Sequence, residues 1–458
     1  MKTILIPRKG VVAQHASQQA RTQFMRLNRL STPELYFFIA LTGFLSQSVL
    51  NTAASMVGSV VPFVTGAWFT PAAIYIPLGL YLLALVRDRQ PLRVLPFLYL
   101  YGLLVAFLLY TLILHPDYAT VMFDSEWNGS IRNTLLSPTS AVLAFLMVTM
   151  APSGQLLLLC FTWASYLTFA GNIVRYAIAQ QRGYWIGVYS DGSEFQTGYD
   201  LGFGYSVLLS VVVFSFLAFS GRRPLLHMVG AVMGFFMILT GGSRAPLGVA
   251  ALAVVLLAMH FRRRLFQGRP GRVAAMLFLG GIGAVIAANL TTILVATQSW
   301  ITSRGQRSRS LDTLIEGSFT ESNARDTLGE ISTRLVQSGG PFGHGLYGDR
   351  VSIRPLFHWG YPHNIVDEFL ITYGWLGGSL LLFSGSVALV LAYRRSRGTL
   401  HADLIVLVIP LIFQLWVSMS YLLSVWFWVL CALIWRALTH PRTDLGRSLN
   451  TLDTADDS

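Results

Sequence analysis

The sequence predicts an all-α polytopic membrane protein with about 12 transmembrane helices. Hydrophobic residues make up 53% of the 458 residues and charged residues only 12%, whereas a typical soluble domain carries about 25% charged residues. The apolar residues come in continuous runs of roughly 20, which is the length that crosses a bilayer core as a helix. A β-barrel is not expected, because its strands give alternating segments of roughly 10 residues.

The predicted elements follow one another from a polar, basic N-terminal tail, residues 1–33, which is expected to stay in the cytoplasm. Helices 1 to 9 fill residues 34–297, a long exterior loop fills residues 298–364, and helices 10 to 12 fill residues 365–436. Residues 437–458 form a second cytoplasmic tail. The predicted spans are 35–59, 72–86, 94–114, 134–150, 155–179, 201–220, 225–240, 247–261, 273–297, 365–393, 404–419 and 421–436.

The distribution of arginine supports this topology. Every loop that the segmentation places in the cytoplasm, except the turn after Met150, carries at least two arginines, as in Arg222-Arg223 and Arg262–Arg264. Basic residues in short loops mark the cytoplasmic side of a membrane protein. The net charge of +12 is therefore interpreted as a topology signal, and a nucleic-acid partner is not expected.

Arg244 is the leading candidate for an anion-binding residue. It interrupts an apolar stretch, residues 225–259, that otherwise carries no formal charge, and a charge at such a depth costs about 2.5–3.5 kcal/mol unless it faces a wet cavity or a partner. Gly241 and Gly242 permit a break and Pro246 favours the start of the next helix, so Arg244 is expected at a helix N-terminus, where N–H groups also favour an anion. The alternative is an arginine that only marks a helix end.

The exterior loop carries seven arginines, and a few of them are expected to converge on an anionic group at the lipid–water boundary. A guanidinium group grips phosphate with two parallel hydrogen bonds. About half of the loop arginines are expected to pair with loop carboxylates instead. A helix is predicted over residues 323–337, with an apolar stripe that packs the loop onto the bundle. That stripe consists of Ala324, Leu328, Ile331 and Leu335.

His363 is the candidate general base, because it precedes a predicted span at the exterior side. A neutral imidazole there can take a proton from a sugar hydroxyl. Asp367 and Glu368 lie one helical turn on from His363 and are expected to orient it. The alternative is a histidine that only bonds a neighbouring backbone group. The loop histidines lack the spacing of a zinc site, and Cys160 and Cys431 lie within apolar runs, so no metal and no cofactor are expected.

Several short motifs together resemble the O-antigen polymerase / O-antigen ligase superfamily over roughly residues 199–378. They are Gly242-Ser243-Arg244, Asn323-Ala-Arg325, Gly343-His-Gly345-Leu-Tyr-Gly348-Asp-Arg350, Pro362-His363-Asn364 followed by Phe369-Leu, and Tyr373-Gly374-Trp-Leu-Gly377. The stretch from Tyr199 to Tyr205 also resembles a feature of capsule polymerases. Ala245-Pro246 departs from the pattern, since family members often have glycine after the arginine.

The resemblance implies a GT-C-like glycosyltransferase of the bacterial cytoplasmic (inner) membrane, with both termini in the cytoplasm and the active site on the periplasmic or exterior side. The donor would be an oligosaccharide on undecaprenyl pyrophosphate, and the reaction would be metal-independent and inverting. Arg244, Arg325 and Arg350 would bind the pyrophosphate, and His363 would activate the acceptor hydroxyl with help from Asn364 or Glu368. The implied partners are membrane lipid, a flippase and a chain-length regulator.

Three functions stay open at this point. A polymerase would use another lipid-linked repeat unit as its acceptor, and the Tyr199–Tyr205 stretch and the long loop favour it. An O-antigen ligase would transfer the glycan to lipid A core. A secondary transporter is the third. Transporters usually show internal repeats and ionisable residues within their spans, whereas this sequence shows no clear repeat and its predicted spans lack aspartate and glutamate in their interiors.

Overall fold

Helices account for almost all of the regular structure. The computed structural model describes residues 27–58, 66–124, 127, 129–188, 194–197, 200–221, 223–241, 244–262, 290–303, 308–316, 323–357 and 360–440. Within these residues, one antiparallel hairpin pairs β1 (Trp185–Val188) with β2 (Glu194–Thr197). The structure therefore confirms the all-α class.

The helices are numbered here in chain order. Those of the first half are α1 (Thr32–Leu45), α2 (Gln47–Gly58), α3 (Gly66–Arg87), α4 (Leu95–Leu114), α5 (Ala119–Met122), α6 (Ile131–Thr134), α7 (Leu143–Met150), α8 (Gly154–Arg182) and α9 (Leu201–Phe219). Those of the second half are α10 (Pro224–Thr240), α11 (Arg244–His260), α12 (Leu290–Thr302), α13 (Arg309–Glu316), α14 (Asn323–Gly339), α15 (Gly348–Ile353), α16 (Ile365–Ser396), α17 (Leu400–Ile412) and α18 (Val425–Thr439).

Among the described residues, five helices, namely α3, α4, α8, α9 and α16, are long and apolar enough to cross a membrane. The pair α1 and α2, bent by 81°, makes a sixth span if it is counted as one broken helix. Helices α10, α11, α17 and α18 are apolar but shorter. The architecture is consistent with an all-α membrane protein, and a count of 12 spans stays a prediction.

The predicted spans 273–297 and 134–150 have no full-length counterpart among the described helices. Most of 273–297 lies outside the described residues. The span predicted over 134–150 is helical only at its end, as the eight-residue α7, which extends about 12 Å. The residues before it form turns, because Pro138 disfavours helix at the preceding residue and the Ser137 hydroxyl accepts a hydrogen bond from the Thr139 N–H at 3.2 Å.

Contacts among helix ends define two ends of the bundle. At the lower end, the Tyr81 hydroxyl donates to the Met150 carbonyl at 2.9 Å, and Arg436 Nη1 donates to the Ala151 carbonyl at 2.6 Å. These bonds join the C-terminal ends of α3, α7 and α18. At the same end His260, the last residue of α11, lies 2.9 Å from the carboxylate of Asp403, a buried residue in the first turn of α17.

At the upper end, the Leu346 N–H donates to the Thr111 hydroxyl near the C-terminus of α4 at 2.9 Å. The Tyr176 hydroxyl of α8 donates to Thr240, the last residue of α10, at 2.9 Å. The Ser308 hydroxyl donates to the Leu239 carbonyl at 2.9 Å. With the short α7 included, helices α3, α4, α7, α8, α10 and α11 therefore run in the directions that the predicted topology requires. The long loop lies at the upper end. Which side of a membrane each end faces stays a prediction.

Helix α16 is broken at Gly374, which has φ 73° and ψ 170°. The break frees the carbonyls of Ile371 and Thr372, which accept hydrogen bonds from the His344 and Gly345 N–H groups at 2.8 and 3.0 Å. The glycine-rich segment 339–348 therefore packs backbone against backbone into the break of α16.

The predicted loop helix is confirmed as α14, Asn323–Gly339. Leu328 and Ile331 of its apolar stripe are buried against Ile353 of α15. His344 Nε2 lies 3.0 Å from the Leu335 carbonyl in the last turns of α14. The imidazole therefore contacts the last turns of α14, where the Leu335 carbonyl also accepts from the Ser338 hydroxyl at 3.2 Å.

Candidate functional site

His363 lies at the upper end of the bundle in a strained backbone conformation. Its φ of 59° is left-handed, a region that few residues other than glycine adopt and that histidine visits more readily than most. The imidazole is half-buried and packs edge-on against the Tyr361 ring, with 4.6 Å between ring centroids. Strained backbone clusters at functional sites, where the surrounding structure holds it in place.

Asn364 fixes the start of the helix that follows. It is the N-cap of α16, and its side-chain oxygen accepts a hydrogen bond from the Val366 N–H at 3.0 Å. This bond satisfies one of the N–H groups that a helix leaves unpaired at its first turn. The side chain therefore sets where α16 begins and, through that, where His363 lies.

Asn364→Ala is expected to lower the free energy of unfolding by about 1 kcal/mol, because alanine cannot accept the Val366 N–H. Asn364→Asp is expected to keep wild-type stability, since aspartate caps as well as asparagine does. Thermal unfolding of both purified variants checks this. If Asn364→Ala and Asn364→Asp unfold at the same temperature, the side-chain cap contributes nothing to stability. A chemical role would then be the reason for asparagine at this position.

Glu368 and Arg350 form the centre of a buried ionic network. Arg350 is 1% exposed. Its Nη1 donates to both carboxylate oxygens of the adjacent Asp349 at 2.7 Å, and its Nη2 donates to Glu368 at 3.1 Å and to the Ser420 hydroxyl at 2.7 Å. Ser420 in turn donates to Glu368, and the Tyr421 N–H donates to the second Glu368 oxygen at 3.2 Å.

This network joins three separate parts of the chain: the loop helix α15, the first turn of α16, and the turn before α18. Burial raises the pKa of Asp349 even though Arg350 opposes the shift. Burial, and then the charge of Glu368, also raise the pKa of the Tyr361 phenol, so Tyr361 stays neutral next to His363. Since unpaired buried charges cost several kcal/mol each, the network holds the three segments in one geometry.

Glu368 does not bond His363 in this arrangement, contrary to the sequence-based expectation. Its hydrogen bonds within the described chain go to Arg350, Ser420 and Tyr421. The expectation that Glu368 orients His363 requires both residues to lie in the same helix. Helix α16 instead begins at Ile365, and the left-handed His363 lies outside it, so the i to i+4 relation does not apply.

Arg350 is also placed differently from the prediction that it binds pyrophosphate. Both of its terminal nitrogens already donate to carboxylates, and almost none of the side chain is exposed. The guanidinium group also lies over the Tyr347 ring, 4.8 Å from its centroid. An anionic ligand would have to displace two carboxylates to reach it. We therefore assign Arg350 to the buried network and not to the ligand.

Arg244 is the first residue of α11, as the sequence predicts, and is half-buried. Gly242 and Ser243 of the same motif lie outside the described residues. Arg244 lies at the same end of the bundle as His363. Gly241, three residues before Arg244, is so close to the Phe203 ring of α9 that an added Cβ would be 3.1 Å from it.

Arg325, the remaining candidate, lies in the first turn of α14, but its side chain is outside what the structure describes. Tyr199 of the capsule-polymerase stretch is also outside it. The next residue, Asp200, caps α9 by accepting the Phe203 N–H at 3.0 Å. Its other carboxylate oxygen accepts from Arg175 at 2.6 Å, so Arg175 belongs to an ion pair at the upper end of the bundle.

The buried network also contains Asp349, Ser420 and Tyr421, which were not predicted from the sequence as site residues. The signal for Ser420 was present in the polar run Ser418-Met-Ser420, which separates two apolar stretches where a bare hairpin turn was predicted. The signal for Asp349 was its position directly before an arginine within a glycine-rich motif. Placing Asp349 and Ser420 in one network with Glu368 requires the tertiary structure, since they lie 19 and 52 positions from Glu368, respectively.

The described residues contain no cluster of three or more histidine, cysteine or acidic side chains that could hold a metal ion. Arg244, at the N-terminus of α11, is a described group at the upper end that suits an anion. Comparison with known proteins gave no match to a family model, to a curated protein sequence or to a solved structure.

Proposed function

We propose that the protein is a GT-C-like glycosyltransferase that polymerises undecaprenyl-pyrophosphate-linked oligosaccharide repeat units at the outer face of the bacterial cytoplasmic membrane. The observation that carries this proposal is the placement of Arg244 and His363. Both stand at the N-terminal ends of apolar helices, at the same end of the bundle. The strained backbone of His363 adds to it, because such strain is retained where a side chain must be held for chemistry.

Arg244 would stabilise the leaving pyrophosphate. When the bond between the anomeric carbon and the pyrophosphate oxygen breaks, negative charge grows on that oxygen. A guanidinium group at a helix N-terminus offers both a formal positive charge and backbone N–H donors to this charge. The first turn of α14, with Arg325, would add a second cation from the loop.

His363 would act as the general base. As the acceptor hydroxyl oxygen forms its bond to the anomeric carbon, the imidazole takes the hydroxyl proton and the pyrophosphate departs with the electron pair of the broken bond. The neutral imidazole is the form that this step needs. Single displacement inverts the anomeric centre and requires no enzyme-bound intermediate.

The buried network would position these groups. Glu368 lies one turn into α16, and its bonds to Arg350 and Ser420 fix that helix against the loop and the turn before α18. Because Tyr361 packs between this network and the His363 imidazole, the network supports the base without touching the substrate. Glu368 is therefore a positioning residue in this proposal.

The test is turnover of a defined lipid-linked repeat by purified protein, with EDTA present. Arg244→Gln and His363→Ala are each expected to lower turnover by about 10²-fold or more, the usual loss for an electrostatic stabiliser or a general base. Arg334→Gln is the matched control, because Arg334 is an exposed arginine of α14 in the same loop.

A ladder of products indicates a polymerase, whereas a single transfer that occurs only onto lipid A core indicates a ligase and replaces the polymerase proposal. Folded Arg244→Gln and His363→Ala proteins that turn over within about threefold of wild type would remove both residues from the chemistry.

A further inference from the structure

A cavity of about 450 Å³ lies at the lower end of the bundle, opposite the candidate site. It separates the N-terminus of α4 from the C-terminus of α18. Its wall consists of Leu92, Arg93, Leu95, Pro96, Thr149, Trp435, Thr439 and His440. Nothing in the proposed reaction uses this place, and the inference below does not depend on the proposed function.

The polar part of the wall is basic. Arg93 and His440 contact each other through Nη1 and Nε2, and the Thr439 hydroxyl lies 3.1 Å from His440 Nδ1. No carboxylate belongs to the wall among the residues described. A neighbouring cavity of about 470 Å³ on the other side of Arg93 differs, because Glu34 and Asp88 line it. The charge at the first cavity therefore suits an anion.

The apolar part of the wall continues along the outside of the bundle. On α4, a helix long enough to cross a membrane, Leu95, Leu98 and Tyr99 are 60%, 56% and 72% exposed. Trp435 of α18 is exposed beside the cavity, and tryptophan favours the boundary between headgroups and acyl chains. A basic pocket thus opens onto an apolar strip that runs away from it.

We propose that this cavity binds the headgroup of an anionic phospholipid. The phosphate would lie against Arg93, whose planar guanidinium group can donate two parallel hydrogen bonds, and against His440 and Thr439. The first N–H groups of α4 add partial positive charge. The acyl chains would follow the exposed face of α4. Basic pockets between transmembrane helices are a known form of lipid recognition.

The test measures lipid binding to the full-length protein. Native mass spectrometry of protein purified in detergent counts bound phosphatidylglycerol and phosphatidylcholine at equal added concentrations. Wild type is expected to retain phosphatidylglycerol in preference, and Arg93→Gln is expected to weaken that binding by about tenfold, a typical loss for a charge-assisted phosphate contact. Arg87→Gln is the matched control, because Arg87 is an exposed arginine nearby that pairs with Asp88.

Thr439→Val and His440→Gln provide second variants that keep the test decisive if Arg93→Gln does not fold, and each is expected to weaken the same binding. Equal retention of both lipids by wild type, or equal loss in Arg93→Gln and Arg87→Gln, would overturn the proposal. A further arm adds glycerol phosphate in excess. Full displacement of the lipid by glycerol phosphate would also overturn it, since the cavity would then be a site for soluble phosphate.

Discussion

Replacing Arg350 by methionine is expected to lower the free energy of unfolding by about 3–5 kcal/mol, the cost of removing one partner from a buried ionic network. Methionine fills a similar volume, so the loss comes from charge. Asp349 and Glu368 would be left facing each other in a site that excludes water. Asp349 would lose both Nη1 hydrogen bonds, and Glu368 would keep the Ser420 hydroxyl and the Tyr421 N–H but lose its cationic partner.

The neutral triple variant separates charge from packing. Asp349→Asn, Arg350→Met and Glu368→Gln together are expected to recover most of the lost stability, because replacing a whole buried network by neutral groups is often close to neutral. Arg354→Met is the matched control. Arg354 lies four residues on and pairs with Asp124 in a half-exposed position, where an ion pair contributes about 1 kcal/mol or less.

Thermal unfolding can be followed with a thiol-reactive dye, since the buried Cys160 becomes reactive only when the fold opens.

The same variants also decide between two roles for Arg350. A pyrophosphate-binding arginine would lose turnover while the melting temperature stayed the same. A network arginine would lose melting temperature, and the triple variant would regain it. An Arg350→Met protein as stable as Arg354→Met contradicts the structural role.

The helices could be predicted from the sequence because lipid imposes a simple requirement on the chain. A span needs a continuous apolar run, and such runs are visible without any tertiary information. That is why the predicted spans 94–114, 155–179 and 201–220 agree closely with α4, α8 and α9. The prediction over 134–150 failed where a local turn, set by Ser137 and Pro138, competes with hydrophobicity.

The site was predictable only in part, because its residues act through contacts between distant segments. Arg244 could be placed at a helix N-terminus from local signals, namely the glycines before it and the proline after it. The roles of Arg350 and Glu368 could not, since an arginine in an exterior loop looks the same whether it meets a ligand or a carboxylate. The deciding partner, Ser420, is 70 residues from Arg350.

The roles of the motif glycines also could not be predicted from the sequence alone. By sequence, Gly343 and Gly345 of the loop motif are compatible either with a turn close to a ligand or with close backbone packing. In the structure they meet the protein itself: a Cβ on Gly343 would lie 2.3 Å from the Gly374 nitrogen, and a Cβ on Gly345 would lie 2.4 Å from the Thr111 hydroxyl oxygen. A glycine required by close backbone packing cannot be told from one required by a ligand until the packing is known.

Gly374→Ala is accordingly expected to lower the free energy of unfolding by about 4 kcal/mol or more. A φ of 73° with ψ of 170° belongs to a region that is essentially restricted to glycine, at a cost of about 1–3 kcal/mol for other residues. The added Cβ would also lie 2.2 Å from the Pro341 carbonyl oxygen. Moving that backbone away would break the hydrogen bonds that His344, Gly345 and Trp375 make across the junction, each contributing about 0.5–1.5 kcal/mol.

Gly385→Ala in the same helix is the control. Nothing lies within 4 Å of a Cβ added there, and alanine favours helix over glycine by about 1 kcal/mol, so this variant is expected to match or exceed wild-type stability. If the two variants unfold at the same temperature, the segment 339–348 is not seated in the break of α16. The loop would then be free to move relative to that helix, and His363 and the buried network would not be held in the geometry on which the proposed chemistry depends.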